Sequence, residues 1–255
     1  MNLRLEHEPV GIENSGSQSP LLLVCEHAGR AIPASLSRLG VSDAVVDDHF
    51  GWDIGALAVA RGVSQRLDAE LVYQRYSRLV VDCNRPLDNP ELIPGVSESV
   101  TIPGNLCLEP QQRQARIQAI WQPFQQAVGI AIDRRKQQSG SAILMAVHSF
   151  SPVFHGVARP WQICLAYNRD QHLAELLFHQ LRAALPDYQI AMNQPFFVSD
   201  EDDQTIPTFG EARKIPHVLL EIRNDLLRSA ASQSEWADNV AEALEQCIPK
   251  LIAPA

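Results

Sequence analysis

The sequence predicts an α/β protein of three layers, in which helices cover both faces of a mixed, mostly parallel sheet. Short apolar runs typical of buried strands alternate along the chain with longer segments whose apolar residues recur at helical spacing. Several of these runs stop at ionisable residues. Because open α/β sheets bind ligands outside the carboxyl ends of their strands, these residues predict a site at that edge.

The composition indicates one globular domain. The chain has 255 residues, of which 45% are hydrophobic, so we expect a single domain over 1–255 with a loose lead-in over 1–18. A formal net charge of −9 without a basic cluster argues against nucleic acid and anionic membranes as partners. The sequence has no run near the roughly 20 apolar residues of a membrane span, and its N-terminus is too charged for a signal peptide. We expect a cytoplasmic protein. The sequence leaves the oligomeric state open, and a homo-oligomer is one of the alternatives.

The first part of the chain predicts the order β, α, β. An uninterrupted apolar run predicts a strand over 20–26 that is buried on both faces. Two short helical pieces are expected between 35 and 48, and helical spacing of apolar residues predicts a helix over 54–68. Apolar runs then predict strands over 70–73 and 79–82.

The stretch 87–110 carries no periodicity and is rich in Pro, Gly and Asn. A structureless connection of this length is uncommon in a compact domain unless it shapes a site. We therefore expect it to be a binding loop.

The rest of the chain continues the alternation. An amphipathic pattern over 109–138 predicts a long helix, and the apolar run 142–147 predicts a strand that stops at His148. Similar patterns predict strands over 163–167, 189–192 and 218–220, and helices over 172–184 and 232–251.

The ionisable residues after these strands are typical of a metal-dependent hydrolase. Two histidines and a carboxylate form the ligand set of a catalytic zinc, which keeps one position open for water and lowers its pKa to about 7. A further carboxylate would move protons, and arginines would hold an anionic substrate or a developing oxyanion. The residues at the strand ends are Glu26, His27, Asn84, Arg85, His148, Glu221 and Arg223.

The sequence resembles the N-formylglutamate amidohydrolase family, distant relatives of the zinc carboxypeptidases, over about residues 20–228. The longest and most specific match is the block Tyr-Ser-Arg-Leu-Val-Val-Asp-Cys-Asn-Arg-Pro at 76–86. Shorter matches are Glu-His-Ala-Gly at 26–29, Trp-Asp-Ile-Gly at 52–55, His-Ser at 148–149 and Glu-Ile-Arg at 221–223. The resemblance implies a phosphorylase/hydrolase-like fold of the zinc-carboxypeptidase type.

The same resemblance implies a zinc-dependent hydrolase with one zinc ion. Its substrate would be a small N-acylated acidic amino acid, and the family's named reaction converts N-formyl-L-glutamate to formate and glutamate, a step of histidine degradation. Carried over by position, His27 and His148 would be zinc ligands.

The remaining site residues also follow from the resemblance. Glu221 would be the general base and acid that acts on a metal-activated water. Arg78 would be a second anion contact at the developing oxyanion. Arg85 would be the partner of a substrate carboxylate, with Asn84 and Arg223 beside it in the substrate site.

The carboxylate ligand of the metal departs from the carboxypeptidase pattern. Carboxypeptidases take a glutamate three residues after the first histidine, where this chain has Arg30. Asp53 is our choice, although an aspartate just before a helix is also a common N-cap. Asp48, His49 and Glu26 are the alternatives, and Glu26 is the weakest because adjacent strand residues point to opposite faces.

Two other functions stay open at this point. One is a different zinc hydrolase on the same scaffold, such as a carboxypeptidase or another N-acyl-amino-acid deacylase, because fold and metal site do not determine the substrate. The other is a non-catalytic protein that binds a metal or a ligand. The cationic candidates for a second substrate carboxylate are Arg75, Arg85, Arg159 and Arg213.

Overall fold

The computed structural model describes residues 3–252, which form a seven-stranded sheet and two small hairpins. The strands within these residues are β1 (Val10–Glu13), β2 (Leu21–Cys25), β3 (Glu70–Gln74), β4 (Val96–Ser97), β5 (Val100–Thr101), β6 (Ile143–Phe150), β7 (Val153–Phe154), β8 (Val157–Ala158), β9 (Ile163–Ala166), β10 (Ile190–Met192) and β11 (His217–Arg223). The large sheet has the order β1-β3-β2-β6-β11-β9-β10, while β4 pairs with β5 and β7 pairs with β8.

The centre of the large sheet is parallel. The neighbouring strands β3, β2, β6 and β11 all run in the same direction. Antiparallel pairing occurs toward the two sides, between β1 and β3 and between β11 and β9. The predicted mixed, mostly parallel sheet is confirmed, and the carboxyl ends of four central strands meet at one edge.

Helices cover both faces of this sheet. The α-helices of the described residues are α1 (Asp43–Asp47), α2 (Ala56–Arg66), α3 (Pro110–Arg116), α4 (Gln122–Ser139), α5 (His172–Ala184) and α6 (Ala230–Ile252). One buried cluster joins the sheet to α2, α5 and α6, and a second joins its other face to α4. The predicted three-layer arrangement is therefore confirmed.

The strand β2 lies at the centre of both clusters. Leu21 and Leu23 pack in the first cluster, whereas Leu22 and Val24 pack in the second, and all four are fully buried. Burying one such side chain contributes roughly 1.5 to 3 kcal/mol relative to exposure. The uninterrupted apolar run is thus explained by burial on both faces, as the sequence predicted.

The N-terminal segment is more ordered than expected. The prediction of a loose lead-in over 1–18 is wrong at Val10–Glu13, which pairs with β3 as an edge strand. Its Glu13 accepts a hydrogen bond of 2.9 Å from Nη2 of Arg61 on α2. Residues 1 and 2 of that segment lie outside the described residues.

The predicted strand over 79–82 is wrong, because this segment forms a turn. The amide of Val80 donates to the carbonyl of Ser77 at 2.9 Å, and that of Asp82 donates to Leu92 at 2.8 Å. Nη1 of Arg116 donates to the carbonyl of Val80 at 3.1 Å. The apolar residues of the run are buried in the second cluster, so burial alone produced the strand-like pattern.

Several element boundaries also differ from the prediction. Strand β6 continues to Phe150 and β11 to Arg223, because the two strands stay paired in register up to these residues. The long predicted helix is interrupted by a π-helical segment, Ile117–Trp121. The stretch 87–110 contains two short 3-10 helices and the β4–β5 hairpin. Within 3–252, no helix combines the length and apolar character that crossing a bilayer requires.

We expect Gly29→Ala to lower the free energy of unfolding by about 2 kcal/mol or more, since forcing extra atoms into a packed site costs about 1 to 3 kcal/mol. A Cβ at Gly29 would lie 1.9 Å from the carbonyl oxygen of Arg75. The measurement is urea unfolding. Gly16→Ala is the control, because a Cβ there meets nothing within 4 Å. Equal stability of the two variants would contradict this explanation.

Candidate active site

The site forms where the parallel strands end. His27 follows β2, while His148 and Glu221 lie near the ends of β6 and β11. Asp53 precedes α2, and its amide donates to the carbonyl of His27 at 2.9 Å. Oδ2 of Asp53 accepts a hydrogen bond from the amide of Ser149 at 3.2 Å. Backbone contacts therefore hold the segments of the site against one another.

Two imidazoles and one carboxylate converge at the centre of the site. Oδ2 of Asp53 lies 3.4 Å from Nδ1 of His27 and 3.1 Å from Nδ1 of His148. The three residues are each 3% exposed, and their ligand atoms lie within 4.8 Å of one another. Nδ1 of His27 is a buried atom without a hydrogen-bond partner. This donor set fits a catalytic zinc, for which three protein ligands are typical.

A second carboxylate holds the far side of each imidazole. Nε2 of His27 lies 2.7 Å from Oδ1 of Asp82, and Nε2 of His148 lies 2.9 Å from Oε2 of Glu26. Carboxylates in this position orient a metal-binding histidine and raise its basicity. With Nε2 engaged on each ring, Nδ1 remains available at the centre.

No role was predicted for Asp82 from the sequence, and Glu26 was considered only as the weakest alternative metal ligand. Asp82 lies within the most specific block of the family resemblance, 76–86, which was the available signal for its role. The contact between Asp82 and His27 could not be predicted from a strand over 79–82, because it is the turn that brings this carboxylate to His27.

The electrostatics of the three residues favour a positive charge at their centre. Burial alone would raise the pKa of Asp53, but its close contacts with the imidazoles of His27 and His148 hold that pKa below its usual range. Burial alone would lower the pKa of His148, but the carboxylates of Glu26 and Asp53 raise it well above its usual value. A cation among these groups is therefore stabilised by the carboxylates around it.

Glu221 stands beside this group because of the strand register. It pairs directly with His148 across the β6–β11 ladder. Its side chain is only 8% exposed, and Oε2 has no hydrogen-bond partner. Burial raises the pKa of Glu221 to about 7, with the charge of His148 opposing the shift. A carboxyl group with a pKa near neutrality is suited to carry protons.

Arg78 lines the cavity next to the ligand residues. Its Nη2 donates to Oδ2 of Asp82 at 2.7 Å, and its Nη1 lies 3.6 Å from Oδ1 of Asp53. The side chain keeps 27% exposure, so part of the guanidinium faces the cavity. This position suits a donor to negative charge that develops beside the metal ligands.

Asn84 and Arg85 also reach the cavity wall, but with partners of their own. The side chain of Asn84 donates to Asp203 at 2.9 Å and accepts from the amide of Thr205 at 3.0 Å. It therefore fastens the segment around these residues. Nη2 of Arg85 lies 3.4 Å from Oε2 of Glu91, and Nη1 donates to a backbone carbonyl.

The structure keeps Arg223 out of the cavity, contrary to the expected substrate contact. Its guanidinium pairs with Asp225, with 2.8 Å between Nε and Oδ1. Its Nη1 donates to the backbone carbonyl of Arg159 at 3.0 Å. The side chain thus braces a neighbouring segment, since its donors are taken up by Asp225 and a backbone carbonyl and it is not among the residues that line the cavity.

Asp48 and His49, two of the alternative metal ligands, lie apart from the central group, whereas Glu26 contacts the outer nitrogen Nε2 of His148. His49 lines the cavity, where its Nε2 lies 2.8 Å from Glu98 and its Nδ1 lies 3.1 Å from Asp48. Asp48 is exposed. Among the described residues, the group of at least three potential ligands consists of His27, Asp53 and His148.

A cavity of about 670 Å³ opens above the ligand residues. Its walls include Glu91, Pro94, Val96, Ser97 and Glu98, which belong to the stretch 87–110. The part of the chain expected to shape a binding site therefore contributes to this cavity. Its size suits a small-molecule substrate.

The chain is similar to one protein family and to two curated enzymes. The chain matches the model of the N-formylglutamate amidohydrolase family over residues 19–228. The N-formylglutamate deformylase of Pseudomonas putida is 27% identical over 140 residues, which cover 51% of each protein. The enzyme of the same name from Pseudomonas aeruginosa is 25% identical over 140 residues, or 51% of this chain and 52% of that protein. The chain thus spans about half the length of these curated relatives.

Two solved structures resemble the chain over nearly its whole length. A gene product of Agrobacterium tumefaciens is 37% identical with a TM-score of 0.88, over 95% of this chain and 97% of that one. The N-formylglutamate amidohydrolase of Ralstonia eutropha is 17% identical with a TM-score of 0.63, over 96% and 98%, and shares the fold. Because the family model covers residues 19–228, the chain belongs to the N-formylglutamate amidohydrolase family.

Proposed function

We propose that this chain is a zinc-dependent hydrolase of small N-acylated acidic amino acids, with N-formyl-L-glutamate as the substrate and formate and glutamate as products. The observation that carries the proposal is the convergence of His27, Asp53 and His148 beside the buried carboxyl of Glu221. Family membership and the name of the Pseudomonas putida relative, N-formylglutamate deformylase, support the choice of substrate.

His27, Asp53 and His148 would hold the zinc ion. A zinc ion bound by such ligands supplies Lewis acidity, which lowers the pKa of water and polarises a carbonyl oxygen. Asp82 and Glu26 fix the orientation of the two imidazoles, so that Nδ1 of each ring stays directed at the ligand position.

Glu221 moves the protons of the reaction. As the water oxygen attacks the formyl carbon, the Glu221 carboxylate takes a proton from the water. It then passes that proton to the amide nitrogen as the carbon–nitrogen bond breaks, which yields formic acid and the amine of glutamate, and transfer of the acid's proton to the amine gives formate and the ammonium form of glutamate. The raised pKa of Glu221, about 7, makes both directions of transfer accessible near neutral pH.

Arginines bind the negatively charged groups of the substrate and stabilise the negative charge that develops during the reaction. Arg78 donates to the oxygen that becomes negative when the formyl carbon turns tetrahedral. Arg85 binds a carboxylate of the substrate at the cavity wall, with Asn84 holding the adjacent segment. We assign no substrate contact to Arg223, because its guanidinium pairs with Asp225.

The proposal predicts that purified protein carries about one zinc per chain and releases formate from N-formyl-L-glutamate. Glu221→Gln should lose at least about a hundredfold in kcat with its zinc retained, because general acid–base catalysis contributes about 10² to 10⁴. His148→Ala should lose both zinc and activity. The measurements are metal analysis and a formate assay.

Other outcomes of this experiment would replace the proposed function. Zinc without hydrolysis of any N-acyl amino acid would identify a metal-binding protein, and cleavage of a C-terminal residue from peptides would identify a carboxypeptidase. Protein that folds but takes up no zinc would contradict the proposed metal site. Chelation followed by zinc addition separates loss of metal from loss of folding.

We expect Asp82→Asn and Glu26→Gln each to weaken zinc binding by about 10 to 100-fold, as is typical when the carboxylate behind a metal-binding histidine is changed. Competition with a chromophoric chelator measures the affinity. Asp133→Asn is the matched control, because this carboxylate is exposed and pairs with Arg213. Unchanged zinc affinity in the first two variants would contradict the orienting role.

The raised pKa of Glu221 also predicts that the free energy of unfolding of the metal-free protein depends on pH. Its pKa is about 7 when folded and about 4.3 when unfolded, so the folded state binds more protons between these values. Wild-type stability therefore falls as the pH rises through that window. Glu221→Gln removes this loss and should gain about 1 to 3 kcal/mol more at pH 8 than at pH 5.

Urea unfolding in the presence of a chelator at the two pH values tests this expectation. Glu235→Gln on α6 is the control for the substitution, because Glu235 is exposed. An equal effect of Glu221→Gln at pH 5 and pH 8 would show that burial does not hold Glu221 protonated.

A further inference from the structure

Three arginines line the cavity, and they differ in their partners. Arg78 pairs with Asp82 at 2.7 Å, and Arg85 lies 3.4 Å from Glu91. Arg159 makes no ion pair with any carboxylate of the described residues. Its one side-chain hydrogen bond there is a long one of 3.4 Å from Nη1 to the carbonyl of Ser151. The guanidinium of Arg159 is therefore a cavity cation whose charge no protein group neutralises directly.

Aromatic rings hold this guanidinium in place. Its central carbon lies 4.4 Å from the ring centroid of Phe154, 4.7 Å from that of Phe196 and 5.8 Å from that of Phe150. The rings of Phe150 and Phe196 also contact each other edge to face, with centroids 5.7 Å apart. Stacked guanidinium groups keep their charge and their planar set of donors, so Arg159 is ordered without being neutralised.

The backbone of Arg159 is fixed on both sides of the side chain. Its amide donates to the carbonyl of Pro152 at 2.8 Å, which closes the β7–β8 hairpin. Its carbonyl accepts the hydrogen bond from Nη1 of Arg223 at 3.0 Å, and Asp225 holds that arginine in turn. Arg223 thus acts on this site through the backbone of Arg159.

The charges around Arg159 relate it to the proposed proton carrier. Burial lowers the pKa of Arg159, and the negative charges of Glu221 and Glu98 oppose that shift. Arg159 consequently lies within electrostatic reach of Glu221, on a cavity that also holds the ligand residues. A substrate carboxylate loses its hydration on entering this cavity, and an ion pair with Arg159 would compensate for that loss.

We infer that Arg159 binds the side-chain carboxylate of the N-acyl amino acid and so selects an acidic side chain over its amide. The inference rests on the proposed function for the identity of the substrate. The two other candidates for this carboxylate, Arg213 and Arg75, do not line the cavity. Arg213 pairs with Asp133 at 2.7 Å, and Arg75 stacks on Tyr73 outside the cavity wall.

The first test compares N-formyl-L-glutamate with N-formyl-L-glutamine in Arg159→Met, which keeps an aliphatic side chain against the three rings. We expect kcat/KM for the glutamate substrate to fall about 10 to 100-fold, as for the loss of a hydrogen bond to a charged group. The value for the glutamine substrate should change less than about threefold. Arg159→Lys should recover part of the preference.

Arg182→Met is the matched control for this test. Arg182 also stacks on a phenylalanine, 5.5 Å from the ring centroid of Phe178, but it lies on α5 outside the cavity wall. Its replacement should leave both substrates unchanged. Equal losses for both substrates in Arg159→Met, or no loss for either, would overturn the assignment, because a packing role does not distinguish a carboxylate from an amide.

A second test uses binding alone and separates this inference from the proposed function. Calorimetry compares glutarate, a five-carbon dicarboxylate, with its monoamide glutaramate, neither of which is an N-acyl amino acid. We expect wild-type protein to prefer glutarate about tenfold or more and Arg159→Met to lose that preference. This result without formate release would reject the hydrolase but keep the assignment of Arg159. Formate release with the preference intact in Arg159→Met, or no preference in the wild type, would reject the assignment.

Discussion

The site depends on the contact of one carboxylate, that of Asp53, with the imidazoles of both His27 and His148. Removing charged groups from water costs several kcal/mol for each ion unless partners compensate, and these three residues are almost fully buried. The compensation comes from Asp82 and Glu26, which pair with the outer nitrogens of the two rings. The five residues therefore form one unit, in which losing a member leaves a buried charge without its partner.

The sheet explains why this unit can form from distant parts of the chain. Parallel neighbours end at the same edge, so β2, β6 and β11 deliver His27, His148 and Glu221 to one place. The β6–β11 register sets Glu221 directly opposite His148. Because that ladder is held by backbone hydrogen bonds in a buried sheet, the spacing between His148 and Glu221 does not depend on a flexible loop.

The sequence identifies site residues that follow a buried strand or lie in the family-specific block 76–86. It does not identify a residue that reaches the site only because the chain turns before it. His27, His148 and Glu221 were predictable because buried apolar runs point to the strand ends. The contact of Asp82 was not predicted, because the apolar run before it is buried as a turn, and apolar patterns report burial without reporting backbone conformation. Arg159 was one candidate among four, since its aromatic neighbours come from separate segments of the chain.

The three arginines of the cavity have different partners, and these partners suit them to different proposed roles. Arg78 is held by the buried carboxylate of Asp82, and breaking the pair would leave that buried charge uncompensated, so Arg78 stays beside the central group. Arg85 lies 3.4 Å from Glu91, whose side chain is 68% exposed, and such a pair contributes about 0 to 1 kcal/mol. A substrate carboxylate can therefore displace Glu91 at small cost. Arg159 needs no displacement, because aromatic rings hold it and leave its charge unpaired. The cavity thus holds one arginine tied to the buried Asp82 and two without a buried carboxylate partner, which fits the two carboxylates of the proposed acidic substrate.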